Sequence, residues 1–382
     1  MKRAKYSTPY FPLPALAALL LAALLLRGVA AIAPSSVERL YAQRLYPALA
    51  RGLGLLTGGL PFSLAEVTLG CAVALAGWRC VRFARRLQRS RGRRARALLA
   101  GTANLAAWIA GAYLAFLLLW GLNYQRESFA VAAGLGPAAI TASAEELTGL
   151  AEELVARTNA TRITVGEDAR GRLALVGGVA GALARAGSGV RAAADAYAPL
   201  RGPFGTPKPV LLSAGLSHLG ISGVFFPFTG EANVNATLPA AQVPFTATHE
   251  LAHQGGFARE DEANYLAWVA CRLHGDADFR YSGALNAALY VLRELRGVDA
   301  PRHATLSARL SPAVQRDLDA LREWSERYRG RAQEVSRKVN DAYLKAQGEP
   351  EGVRSYGRMV DLLILERRLA AERGAALGQV SP

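Results

Sequence analysis

The chain has 382 residues, with 45 Lys and Arg against 30 Asp and Glu, and 51% of its side chains are hydrophobic. That apolar share is high for a purely water-soluble protein, so a membrane part is expected beside a sizeable water-exposed one. Three cysteines in the whole chain exclude a disulfide-framed scaffold.

The apolar excess lies at the N-terminal end. Residues 10–33 are dominated by Leu and Ala, residues 53–78 are apolar apart from Glu66, and residues 98–122, LLAGTANLAAWIAGAYLAFLLLWGL, carry no acidic or basic side chain. Each is long enough, at about 1.5 Å per residue, to cross a hydrocarbon layer of roughly 30 Å, so three transmembrane helices are expected. The first run, preceded by Lys2, Arg3 and Lys5, has the outline of a signal peptide with Ala31-Ile32-Ala33 at the cleavage position. Pro34 directly after it, and the length of the apolar core, favour an uncleaved anchor.

Residues 79–96 hold nine arginines and no acid. Between two spans such a loop follows the positive-inside rule better than it serves nucleic acid, so no nucleic-acid partner is expected. The loop and the N-terminus then face the cytoplasm of a bacterial inner membrane. Residues 1–122 form the membrane anchor, with the lipid bilayer as partner, and residues 123–382 an extracytoplasmic domain. Glu66 is expected at the interface, near Pro61, because a carboxylate is expensive in lipid.

In the outer region Ser143-Ala-Glu-Glu146 has the form of a capping box and opens a helix to about residue 159. A polar, glycine-bearing stretch follows, and a short helix is predicted over 192–198. Residues 209–213, 222–228 and 231–238 are β-rich runs bounded by Gly and Pro, predicting a small sheet. From Phe245 onward the pattern is helical, with glycine breaks. The fold class expected is α+β, mainly α: transmembrane helices followed by a zincin-like domain with a small sheet before its metal helix.

That last expectation rests on His249-Glu250-Leu251-Ala252-His253, an H-E-x-x-H sequence. A helix brings residues i and i+4 onto one face, so both imidazoles can reach one zinc ion, with Glu250 beside it as general base. The bland alternative is a helix with two histidines on nearby carbonyls. A catalytic zinc needs a third protein ligand, and Gly255-Gly256 can turn the chain so that Glu260-Asp261-Glu262 folds back. Arg259 stands where metzincins carry a third histidine, so a carboxylate is expected. Glu260 shares its helix stripe with Ala263, Asn264, Ala267 and Ala270, which permits close approach and favours it over Glu262, whose stripe is bulky. Asn264 is then placed to accept a hydrogen bond from a ligand histidine, or is a plain surface amide.

The chain resembles a bacterial membrane-protein family filed as a domain of unknown function (thirty-eight ten). The resemblance is carried by residues 37–64, by WGLNYQRES (120–128), GISGVFFPFTGEANVN (220–235), PFTATHELAHQGGFAREDEAN (244–264) and YLKAQGEPEGVRSYGRMVDLL (343–363). More distantly, HELAH followed by E-x-x-A-N is similar to the E-x-x-A-D element of gluzincin membrane peptidases. That likeness implies Glu260 as third ligand and Asn264 in the aspartate's place; the departures are Asn for Asp and a short gap between the elements.

In zincin-type folds an edge strand before the metal helix holds an extended substrate, which suits residues 231–235, with Asn233 and Asn235 facing peptide backbone or merely occupying a turn. Tyr356 and Arg358 are candidates for an oxyanion donor, against the commoner surface and packing roles. His218, His274 and His303 lack ligand spacing. The function expected is a zinc metallopeptidase acting on a protein or peptide of the cell envelope. The alternatives are a zinc-stabilised sensor or binding protein without turnover, and a zinc hydrolase of a non-peptide substrate.

Overall fold

A computed structural model of the chain describes residues 13–89, 94–137, 140–200 and 202–378. It is mainly helical, with one three-stranded sheet. Three helices are long and apolar enough to cross a membrane: Pro14–Ile32 within the helix Leu13–Ile32, then Leu64–Arg89 and Arg94–Leu119. Membrane association is therefore a property of this fold.

Two boundaries differ from the sequence expectation. The second span starts at Leu64, not at residue 53, because residues 53–57 end a separate helix, Tyr46–Thr57, and a Gly58-Gly59 turn with Pro61 breaks the chain between them. The arginine-rich segment expected as a loop over 79–96 is mostly helix: residues up to Arg89 extend the second span and Arg94 already opens the third. Arginine is a good helix former, and no glycine or proline interrupts residues 79–89.

The N-terminus of the second span is fastened to the sheet. The Glu231 carboxylate accepts the backbone N–H groups of Leu64 (3.2 Å) and Ala65 (2.8 Å), two donors that a helix start otherwise leaves without partners. Lys208 Nζ neutralises that carboxylate at 2.6 Å and also donates to the carbonyls of Thr57 and Phe62. Glu66 accepts the backbone N–H groups of Leu211 and Leu212, both at 2.9 Å, which settles a carboxylate at the lip of an apolar helix.

The sheet itself has the order β1-β3-β2, with β1 (Lys208–Val210) parallel and β2 (Gly223–Phe226) antiparallel to the central β3 (Glu231–Asn235). All five residues of β3 are buried. The run expected as strand over 209–213 stops at Val210, and Ser213 begins a short helix.

Ala144–Arg162 carries the expected capping box, both of its hydrogen bonds formed. Of the polar, glycine-bearing stretch before residue 192, residues 163–177 are irregular, but the part from Gly178 on is helix, Gly178–Ala196, which also takes in most of the short helix expected over 192–198. Gly189 explains it: a Cβ there would stand 2.4 Å from the Ala270 carbonyl oxygen, so the glycine permits close helix packing. The core is built on the helices Val243–Gln254, Glu260–Leu273 and Ala277–Val298, with Leu251, Tyr265, Phe279 and Leu285 excluded from solvent. A smaller apolar cluster, including Tyr41, Tyr46, Trp120, Tyr124, Phe225 and Ala258, joins the ends of the spans to the sheet.

Candidate metal centre

The H-E-x-x-H residues lie in the last two turns of the helix Val243–Gln254, which is buried along its whole length. Its C-terminus is closed by the double glycine. Gly255 N–H donates to the Leu251 carbonyl and Gly256 N–H to the His253 carbonyl, both at 2.9 Å. Gly256 adopts φ +87°, and a Cβ there would also press on the Tyr46 ring at 2.9 Å, so no other residue fits comfortably. The chain then reverses into the helix Glu260–Leu273.

This reversal brings Glu260 to the two histidines. Its Oε2 lies 3.3 Å from His249 Nε2 and 3.5 Å from His253 Nε2. The three candidate ligand atoms lie within 4.8 Å of one another. Donors bound at about 2.0–2.1 Å in a tetrahedron stand roughly 3.4 Å apart, so the spacing fits a zinc-sized cation. Oε2 is buried and receives no well-aligned hydrogen bond, although it lies in ion-pair range of both imidazoles. A buried carboxylate oxygen aimed at two imidazole nitrogens is the arrangement a cation would complete.

Glu262 goes elsewhere. Its Oε1 accepts the Phe129 N–H at 2.6 Å and Arg259 Nη1 at 3.1 Å, so it holds the incoming chain rather than facing the histidines. Glu250 lies close enough to feel His249, His253 and Glu260, with Oε2 buried and without a hydrogen-bond partner. Burial raises its pKa, opposed by His249 and His253 and by the N–H of Phe225. Burial also works against the charged form of Glu260, but the two histidines outweigh it and hold the carboxyl well below its usual range. For His253, burial is likewise overcome by the Glu260 and Glu250 carboxylates, which push its pKa up to about 9.

A family model described as protein of unknown function (DUF3810) matches residues 41–364. The chain belongs to this family. No curated protein and no solved structure matches it. The matched span of this DUF3810 chain covers the second and third membrane helices, the sheet and all four residues just described.

Other residues singled out in the DUF3810 sequence fall in different places. Asn264 does not meet a ligand histidine: its Nδ2 donates to the Tyr356 carbonyl at 3.3 Å, and its side chain also bonds Tyr290. The orienting partner of His253 is instead the Phe257 carbonyl, 2.7 Å from Nδ1, while His249 Nδ1 is buried without a partner. Asn233 and Asn235 sit on the central strand, not an edge. Their amides are used internally, Asn233 with Ser63, Val224 and Glu231, and Asn235 with Ser217, Ile221 and Thr237. Neither is open to a bound peptide, because both sides of β3 are already paired.

Tyr356 does reach the site, its hydroxyl meeting the Glu260 carboxylate and Asn340. Arg358 turns to Asp361, 3.6 Å away, among the acids flanking the helix start. His274 receives the Asp276 N–H at Nδ1, so Nε2 carries the proton it shares with Ser188 and the Arg185 carbonyl, a structural arrangement.

Four contributors escaped the sequence reading. Trp120 Nε1 donates to the His253 carbonyl at 3.1 Å, and Tyr46 Oη to the Gln254 carbonyl at 2.8 Å. Phe257 acts through its backbone, which leaves no trace in side-chain identity. Gly223 faces Glu250 so closely that a Cβ would lie 2.5 Å from Oε1. A glycine inside the β-rich run 222–228 was the available signal for that last contact.

Proposed function

We propose that the chain is a membrane-anchored, zinc-dependent metallopeptidase with a zincin-like centre. The observation that carries this reading is the convergence of His249 Nε2, His253 Nε2 and Glu260 Oε2, with the unpartnered Glu250 Oε2 beside them. His249, His253 and Glu260 would hold the ion, and imidazole with carboxylate is a donor set suited to zinc. Zinc in such a site acts as a Lewis acid toward water and a peptide carbonyl. Glu250 takes a proton from the attacking water at Oε2 and returns it to the leaving amine. Burial, which favours its protonated form, suits a group that must both take and give that proton. Tyr356, touching Glu260, is the side chain on hand to steady developing charge.

The substrate would lie along β2 rather than β3. Ser222 uses its carbonyl toward Asn235, so by the alternation of an antiparallel pair the backbone groups of Gly223 and Phe225 turn away from β3, the Phe225 N–H among them meeting the Glu250 carboxylate. That outer edge is next to Glu250 and can hold an extended peptide by strand addition. The arginine-rich segment 79–96 between the second and third spans supports a cytoplasmic side for that connection and an extracytoplasmic side for the centre.

The test compares purified wild type with Glu250→Gln. Both are expected to carry about one zinc per chain, because Glu250 is not a ligand, and only wild type cleaves a polypeptide. Cleavage retained in Glu250→Gln refutes the mechanism. Absence of zinc from wild type refutes the centre.

A further inference from the structure

We infer that this centre works at the membrane surface and that its substrates are polypeptides anchored in the same bilayer, cut in the segment that emerges from the lipid. The inference rests on the peptidase reading and adds the substrate class to it.

Two independent fastenings set the depth of the centre. At the third span, Arg94–Leu119 ends one residue before Trp120, whose indole N–H bonds the carbonyl of His253 and whose ring centroid is 6.0 Å from that of the imidazole. Tyr41, Tyr46 and Tyr124 are buried around the same point, so the end of this span and the centre share one packed cluster. At the second span, the carboxylate of Glu231 caps the helix at Leu64 and Ala65, and Glu231 is paired in register with Phe226 of β2. From Phe226 to Gly223, the residue against Glu250, is three strand steps, at most about 10 Å. With the reach of the Glu231 side chain and the cross-strand gap added, Glu250 stands within about 20 Å of the start of the second span.

The faces around this point are apolar and uncovered. Leu55, Leu56, Phe62, Leu211 and Leu212 are exposed by 41–83% beside the start of the second span. The two fastenings also hold the spans apart. The second span meets the third where Arg79 lies over Trp108 and where Gly101 admits the Phe83 ring, whereas residues 67–78, nearest the sheet, are exposed all round. The outer halves of the two spans are therefore not packed on each other, which leaves a gap between them on the side of the fastenings. A peptide rising through it would reach the outer edge of β2 in three to five extended residues at about 3.3 Å each. A free peptide must instead approach across the apolar rim.

Two measurements test this. Full-length protein is placed in liposomes with one randomised ten-residue segment in two forms, fused to a single transmembrane helix or free in solution, and products are sequenced by mass spectrometry. The fused form is expected to be cut within about five residues of the lipid and at least about 100-fold faster than the free one, with all cleavage lost in Glu250→Gln. Equal rates, or cuts spread far from the helix, overturn the inference while leaving the peptidase reading intact. No cleavage of either form by zinc-loaded protein overturns both. The second measurement needs no activity: a nitroxide on Val224→Cys, with Cys71 and Cys80 replaced by Ser, is located by depth-dependent relaxation in nanodiscs. A label within about 20 Å of the headgroups supports the inference, and one beyond that overturns it whatever the enzyme does.

Discussion

The pair Arg126–Glu38 offers a sharp test of how the centre is held. Arg126 Nε and Nη2 each lie 2.7 Å from a Glu38 oxygen, Nη1 donates to the Gly256 carbonyl at 3.0 Å, and the guanidinium stacks over Phe257, whose own carbonyl orients His253. Both side chains are buried, at 2% and 4% exposure. In Arg126→Met the Glu38 carboxylate stays buried without its counter-charge, which costs about 3–5 kcal/mol, and the Gly256 carbonyl loses a donor worth about 1 kcal/mol more. For a chain of this size that is a fall in Tm of roughly 10 °C. Glu38→Leu combined with Arg126→Met removes both charges, so most of the loss returns and the double-mutant cycle shows a coupling of roughly 2–4 kcal/mol. The assay is unfolding in mild detergent followed by tryptophan fluorescence, with zinc content beside it. Additive single effects, or Arg126→Met with unchanged stability, would refute the claim that this pair is a desolvated unit.

Gly223→Ala places a methyl 2.5 Å from Glu250 Oε1, so the carboxylate must move by about 1 Å; kcat/KM is expected to fall roughly 100-fold with zinc content unchanged. Loss of zinc in that variant would mean that Gly223 supports the ligands instead. Glu260→Ala is expected to lose zinc and the stabilisation that zinc confers, about 2.7 kcal/mol at a hundredfold excess over Kd, read as a lower Tm. Glu262→Ala keeps zinc but is destabilised by about 1–3 kcal/mol, because the Phe129 N–H and Arg259 lose their acceptor; equal metal loss in the two would contradict the geometry. Glu146 is held at about 2 by Arg368 and by the Ser143 N–H. Since its unfolded value is about 4.5, the stability advantage of wild type over Glu146→Gln should be complete above that pH and fade as pH falls toward 2, as urea titrations across the range will read.

What could be read in the sequence was what depends on near neighbours. The three apolar runs, the capping box at Ser143, the turn at Gly255-Gly256 and the small-residue face that turns Glu260 inward are all set within about a dozen residues. Strand order is not. Nothing local in EANVN says that β3 is flanked on both sides, so Asn233 and Asn235 were expected at an edge that belongs to β2. The residue expected at His249 and His253, Asn264, is displaced for a similar reason: the carbonyl of Phe257 arrives first, by way of the turn, and Tyr356 brings a distant acceptor for the amide. Gly178–Ala196 was hidden because glycine is a poor helix former in isolation, while its value at Gly189 lies in a helix far along the chain.

The carboxylate of Glu231 ends the second span and begins the central strand at once, with Lys208 closing the gap. A fragment beginning at Asn123 would therefore not be the outer domain in soluble form. It would keep a lysine that has lost two of its carbonyl partners, a carboxylate with no helix to cap, and the stripped faces of Trp120's neighbours Phe225 and Ala258. The same joint makes the sheet a lever: a tilt of the second span, as a thinner or thicker bilayer would impose, is passed through Glu231 to β2 and so to Gly223 beside Glu250. Lipid thickness becomes a variable of the centre's geometry, with no moving part needed beyond the span itself.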